Sequence, residues 1–288
     1  MGNIIYHDIK TASDIDTEEY YKLLKQVDQT SCKVDLKQLA AEVTLPDKVV
    51  GIVFTGDWHV GAHGVDYETL DRDLALIKDT ENVFAIGMGD YKDNQNPRVH
   101  PSGVFENIAS PSKQDELVHH LISGVGKDKW IALIRGCHDD WDKKMSDKDF
   151  IQDLCDSVGC VNLWHGGCLK LNVGSQTYTI FARHKYKYDS SLNTTNSQRN
   201  LVNNFGAFDV VALAHKHFPD LQVTHRMEQE VVYLRSGTYK HHDEFGQKIG
   251  GYKGIYGIPM AILFPNSHEK LVVPDIELGV KILQIVGS

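Results

Sequence analysis

Five apolar, β-branched-rich runs in this chain each stop abruptly in side chains that handle metals or protons. VVGIVFTGDWHVG (49–61) ends in Asp57 and His59, VFAIGMGDYKDN (83–94) in Asp90 and Asp93, and WIALIRGCHDD (130–140) in Cys137, His138 and two acids. YTIFARHKY (178–186) ends at His184, and DVVALAHKHF (209–218) at His215 and His217. A buried strand ordinarily gives way to Gly, Asn or Pro turn chemistry, so a recurring ending of this kind needs a reason. Separated by the helical patterns YETLDRDLALIKD (67–79) and SKQDELVHHLIS (112–123), the runs read as buried strands alternating with helices. Open α/β architectures gather ligand groups at the carboxyl ends of their strands, so the five polar endings are expected to converge.

Asp57, His59, Asp90, Cys137, His184, His215 and His217 make seven ligand-capable side chains, with Asp93 and His138 left over. If one carboxylate bridges, seven groups give each of two metal ions four contacts, an arrangement that clamps the attacking and leaving oxygens of an in-line displacement. Asp90 is the natural bridge. Asp57 and His59 stand two apart, as do His215 and His217, and on extended backbone each pair points one way. Taken singly, each residue is most simply a capped turn or a satisfied core group. Seven together are hard to read so.

Composition bounds the alternatives. The 288 residues, 41% of them hydrophobic, suffice for one large core or one core plus a small appendage. A net charge of -9 offers no overall attraction for nucleic acid or an anionic membrane, although it leaves room for a local basic patch. No apolar stretch approaches the roughly 20 residues of a membrane span. The cysteines (Cys32, Cys137, Cys155, Cys160, Cys168) lack paired CxxC spacing, which fits a reducing compartment and a cytoplasmic protein without a membrane partner. TEEYYKLLKQV (17–27) and VDLKQLAAEVTLP (34–46) carry helical periodicity, Thr17 is a candidate N-cap, and Pro46 stops the pattern. A helical extension over 1–47 is therefore expected before a domain over 48–288. LVVPDIELGVKILQIV (271–286) fits strand or helix alike.

The order Asp-x-His, then GDYKD, then Gly-x-His-Asp, then a single His, then His-x-His resembles the calcineurin-like metallophosphoesterases over roughly Val49 to Phe264. The small stand-alone build is similar to bacterial or phage members. The resemblance implies a four-layer α/β/β/α sandwich. It places Asp57, His59, Asp90 and His217 around one metal, and Asp90, the residue at 137, His184 and His215 around the other. It makes His138 the general acid, with Asp93 as its orienting partner. Two divalent ions, Mn, Fe or Zn, would lower the pKa of a bridging water to give the attacking hydroxide and bind the phosphoryl oxygens.

Cys137 departs from that pattern, which has Asn before the catalytic His. As a thiolate it would be a softer ligand, favouring Zn or Fe over Mn and reducing the net positive charge beside the phosphate. As a neutral thiol it would leave the second site one ligand short. Asn94 stands where family members acting on protein phosphoserine carry Arg, which argues against a protein phosphatase. Two polar stretches are candidates to shape a cleft: KYKYDSSLNTTNSQRN (185–200) and RSGTYKHHDEFGQKIGGYKGIYG (235–257). The second interleaves Lys with Tyr, as suits stacking bases beside phosphates. Candidate substrate contacts are Asn94, Arg98, Tyr239 and Lys240. The expected activity is hydrolysis of a phosphate ester, a phosphodiester or nucleic-acid-like substrate ahead of a nucleotide or other monoester. A monoesterase would share every site residue, and a non-catalytic scaffold or nucleic-acid-binding module is the other alternative. A homo-oligomer is compatible with either.

Overall fold

The computed structural model describes residues 16–37, 40–98, 103–190, 192–242 and 253–287. The chain divides into two compact units, 1–39 and 40–288. The first contains helix α1 (Thr17–Lys37), with Glu18 and Glu19 in its first turn, where negative charge is favoured by the helix dipole.

The second unit opens with β1 (Ala40–Leu45), which pairs in parallel with β6 (Gly166–Val173) from Ala40 opposite Cys168 to Leu45 opposite Val173. The helix expected over VDLKQLAAEVTLP thus holds only for its first residues. Along AAEVTL the less exposed positions are Ala41, Val43 and Leu45, a period of two that favours a strand over a helix. The helical patterns at 67–79 and 112–123 do fold as expected, into α2 (Tyr67–Asp79) and α3 (Pro111–Val125). Asp66 and Ser110 cap them by accepting from the Thr69 and Lys113 amides.

One sheet is ordered β12 (Lys270–Val273), β11 (Met260–Leu263), β2 (Val50–Thr55), β3 (Val83–Gly87), β4 (Trp130–Leu133), β5 (Val161–Asn162). Its members β2 to β5 run parallel, and β11 is antiparallel to both neighbours. The other is ordered β1, β6, β7 (Gln176–Arg183), β8 (Val210–Leu213), β10 (Gln229–Arg235), β9 (Asp220–Arg226), with β7, β8 and β10 parallel. The segment 271–286 uses both of its allowed readings, β12 followed by helix α7 (Ile276–Val286).

Burial alternates along the strands and so defines the layers. Ile52, Phe54 and Ile86 face Leu169, Leu171, Ile180, Val210 and Ala212 in a core between the two sheets. Val53 and Ala85, on the opposite face, pack with Leu70 of α2, Val118 of α3, Leu154 of α5 (Phe150–Val158), which follows the short α4 (Asp140–Ser146), and Leu283 of α7. Phe181, Val211 and Tyr233, on the far face of the second sheet, are covered by Leu201 and Val202 of α6 (Asn196–Phe205). The result is helix, sheet, sheet, helix, the architecture that the motif resemblance implies. Among the described residues no helix is long and apolar enough to cross a membrane.

Candidate metal centre

The five polar endings meet. Asp57 and His59 follow β2, Asp90 follows β3, Cys137 follows β4, His184 follows β7, and His215 and His217 follow β8. Asp57, His59 and His217 offer donor atoms within 4.8 Å of one another, and so do Cys137, His184 and His215. Asp57, Asp90 and His184 link these two groups, and His59, Asp90 and His138 form a further one.

The pairs converge by a different backbone than expected. Asp57, His59, Asp90, His215 and His217 have φ of 50°, 50°, 53°, 75° and 57°, in the left-handed region that L-residues with side chains rarely adopt. Such conformations persist only where the surroundings fix them, and they gather at functional sites. Here the fixing contacts are visible. Trp58, fully buried between the two ligands, donates from Nε1 to Thr55 Oγ1 at 2.8 Å and packs edge-on against Tyr91. The His215 amide donates to Asp57 Oδ2 at 2.8 Å, tying the loop after a strand of one sheet to the loop after a strand of the other. A Cβ at Gly136 would collide with the amide and carboxylate of Asp90, so the β4 loop reaches Asp90 only because residue 136 has no side chain.

The donor atoms face one another as acceptors. His59 holds its Nδ1 against Asp93 Oδ1 at 2.9 Å, and His184 its Nδ1 against the Met88 carbonyl at 2.8 Å. Partners of this kind fix the tautomer with the proton on Nδ1 and turn the Nε2 lone pair inward. His59 Nε2 then lies 3.0 Å from His217 Nε2 and His184 Nε2 3.1 Å from Asp90 Oδ2, while Asp57 Oδ1 is buried without a hydrogen bond. Carboxylate, imidazole and thiol groups brought this close fit divalent transition-metal ions. Burial pushes His59 down to about 4 and His215 to about 3, which keeps both rings in the neutral, ligating form. Burial also acts on His184, but the Asp90 carboxylate, 3.1 Å from its Nε2, outweighs it and raises that ring well above the ordinary imidazole range. Burial favours the neutral acid at Asp90 as well, yet His184 and His138 hold it well below the usual carboxylate range. A cation would displace the proton that this pair shares.

Asp93 and His138 meet through an unexpected atom. The Asp93 backbone carbonyl accepts from His138 Nδ1, while its carboxylate Oδ1 stands 4.0 Å from that nitrogen. The carboxylate is already engaged by His59 and by Lys240 Nζ at 3.0 Å, and although burial pushes it up, the His59 bond leaves it below its ordinary range. His138 is further held by Trp141, with ring centroids 4.2 Å apart, and by its own amide donating to Asp90 Oδ1 at 2.8 Å. Asp139, the last residue of the Gly-x-His-Asp motif, to which the sequence assigned no role, is a positioning group. It accepts from the Asp90 amide at 2.7 Å and the Gly136 amide at 2.9 Å, and burial with Asp90 nearby pushes it up to about 6.

Of the four expected substrate contacts, three turn inward. Asn94 is buried, donating from Nδ2 to the His138 carbonyl at 2.9 Å and to Asp142 Oδ1 at 3.0 Å, so it braces the acid loop. Tyr239 is fully buried and donates to Asp73 Oδ2 at 2.8 Å. Lys240 is 3% exposed and bonds Asp93 and Glu106, which makes it a charge partner of the site's own acid. Arg98 is exposed, and Lys248 and Tyr252 of the Lys–Tyr stretch over 235–257 lie outside the described residues. Lys240→Met should cost about 3 kcal/mol of stability in urea denaturation, because it strips the cation from a buried acid. A loss below about 0.5 kcal/mol, the size of a surface change, would mean that His59 alone satisfies Asp93.

No family model matches the chain, and no curated protein matches it. Among solved structures it is similar to a predicted phosphoesterase of Streptococcus pneumoniae, at 12% identity over 78% of this chain and 98% of that one, TM-score 0.36. It is also similar to Vps29 of Chaetomium thermophilum, at 10% identity over 78% and 99%, TM-score 0.41. A third is the nuclease MPE of Pseudomonas putida, at 13% identity over 77% and 87%, TM-score 0.33. Likenesses this weak assign no chemistry, so the side chains have to.

Proposed function

We propose that this chain, with the layered fold and motif order of the calcineurin-like metallophosphoesterases, hydrolyses a phosphate ester with two divalent ions, a diester ahead of a monoester. What supports this most is the meeting of acceptor atoms described above, His59 Nε2 against His217 Nε2 at 3.0 Å above all. A cation between these nitrogens, a proton or a metal ion, satisfies both, and the Asp57 carboxylate 3.4 Å from His217 Nε2 adds the negative charge that favours a divalent one. Asp57, His59, Asp90 and His217 would hold one ion, and Asp90, Cys137, His184 and His215 the other. Bound there, the ions would supply the charge that binds phosphoryl oxygens and the polarisation that activates water.

The chain's own residues orient and transfer protons. Asp93 and the Met88 carbonyl keep the ligating nitrogens of His59 and His184 turned inward. With its Nδ1 hydrogen spent on the Asp93 carbonyl, His138 has Nε2 free to give a proton to the departing alkoxide. A diester is favoured because a cleft of about 600 Å³ opens beside Cys137 and His184, with room for a second ester substituent.

The test is hydrolysis of bis-p-nitrophenyl phosphate against p-nitrophenyl phosphate by metal-stripped protein resupplied with Mn²⁺, with elemental analysis of the protein as isolated. Two ions per chain and diester preference are expected. Monoester preference would replace the substrate class, and a chain that takes up no ion would end the proposal. Cys137, whose Sγ lies 3.8 Å from His215 Nδ1, would be the fourth ligand of the second ion. Cys137→Asn should keep or raise the Mn²⁺-supported rate, since a neutral oxygen donor fills the place of the sulfur. A folded, metal-loaded but inactive variant would reject that and make the thiol essential.

A further inference from the structure

The cleft beside Cys137 and His184 runs against the chain's net charge of -9. Five cations line it, Arg135, Lys144, Arg183, Lys185 and Lys187, against the single acid Asp140. Two of the five are neutralised: Arg135 by Asp149 and Asp140, and Lys144 by Asp140 at 2.6 Å. Among the described residues Arg183, Lys185 and Lys187 form no ion pair. Asp189, the nearest acid in sequence, is taken by Arg235 at 2.8 Å.

Aromatic faces are interleaved with the charges. The Lys187 ammonium lies 5.3 Å from the Tyr188 ring centroid and 5.8 Å from that of Tyr186, and the Arg183 guanidinium is 5.8 Å from Tyr186. The backbone beneath is pinned, so Lys185, Lys187 and Tyr188 are presented outward from a fixed rail, while Tyr186 is half-buried against Phe205 and its hydroxyl accepts from Asn204 Nδ2 at 2.9 Å. Ser197 Oγ donates to the Lys187 carbonyl at 3.0 Å and Asn196 Nδ2 to the Tyr188 carbonyl at 2.7 Å. Tyr188 is held at φ 62° while its side chain stays 60% exposed. A bulky residue strained into the left-handed region and left in solvent gains nothing from packing, and such strain collects at ligand clamps.

We propose that residues 183–188 form an arm that grips a single-stranded nucleic acid, with Lys185 and Lys187 on phosphates flanking the scissile bond and the exposed Tyr188 stacking a base. This rests on the phosphoesterase reading above. The metal-ligand candidate His184 lies inside the arm, between Arg183 and Lys185, so a strand in the cleft passes from the lysines directly to the centre. A duplex keeps its bases stacked on each other and does not use such platforms, whereas a single strand does.

The test is fluorescence anisotropy of a labelled oligothymidine with the full chain, without added metal so that the strand is not cut, over a series of salt concentrations. Affinity should fall linearly on a log–log plot. The Lys185→Ala/Lys187→Ala variant should reduce the slope by about 1.4, since each phosphate contact on a single strand contributes about 0.7. The Lys185→Arg/Lys187→Arg variant should restore it. Both lysines are exposed, so the alanine variant keeps the fold, which its melting temperature verifies. Absence of binding, or an unchanged slope in the alanine variant, overturns the proposal. If bis-p-nitrophenyl phosphate is hydrolysed while the strand is not bound, the arm fails and the phosphoesterase stands. Binding with the expected slope by a chain that cuts no phosphate ester leaves the arm standing and the enzyme reading fallen.

Discussion

Asp90→Asn should lower phosphodiester hydrolysis by on the order of 10³-fold and strip the isolated protein of at least one of the two proposed ions. Asp90 is 1% exposed and is the carboxylate shared between groups of candidate ligands on both sides of the centre. One of its oxygens accepts the His138 amide at 2.8 Å and the other lies 3.1 Å from His184 Nε2. The amide replacement keeps the shape but removes the charge, and it turns one acceptor into a donor that faces either an N–H group or a ligand position. The metal-free fold should survive, because the Asp139 carboxylate still accepts the residue 90 and Gly136 amides and holds the loop. Steady-state rates and elemental analysis read both consequences together. A folded variant within tenfold of the parent, with its ions intact, would mean that Asp90 does not bridge.

His138→Ala should separate substrates by leaving group. A general acid contributes about 10²–10⁴-fold, and only where the departing oxygen needs a proton. Hydrolysis of an alkyl diester should therefore fall by at least about 10²-fold, while nitrophenyl esters, whose anions leave unaided, should fall by less than about tenfold. Metal content should be unchanged, since the other candidate ligands of both ions remain. Equal losses on both substrates would assign His138 to positioning or to metal binding, a role its nearness to His59 and Asp90 also permits.

The strands and the identities of the clustered side chains were legible in the sequence because both are local properties. An apolar run of strand length, cut off by an acid or an imidazole, announces a buried strand and what stands at its end. What was not legible depends on partners far along the chain. The Asp93 carboxylate turns from His138 because Lys240, 147 residues away, and His59 claim it. Lys240 and Tyr239 look like surface chemistry in a Gly-rich stretch, yet a buried acid waits for each of them on another element. The pairs Asp57/His59 and His215/His217 were expected to align through extended backbone; they align through left-handed turns, which the spacing of two residues does not distinguish. Strand β1 escaped because six residues alternating on one edge also fit a helical period within a longer helical context.

The hydrogen bond from the His215 amide to Asp57 Oδ2 has a consequence for the molecule as a whole. The candidate ligands are drawn from both sheets: Asp57, His59, Asp90 and Cys137 from one, His184, His215 and His217 from the other. An ion bound between them works against separation of the sheets, so its binding free energy adds to the cohesion of the sandwich, by about 2.7 kcal/mol when free ion stands at 100 times its dissociation constant. The coupling runs in both directions. A methyl group lost from the layer between the sheets, where Ile52 and Phe54 meet Ile180 and Ala212, changes the seating of one half of the ligand set against the other. Metal affinity in this protein is therefore a gauge of how well its two halves are packed.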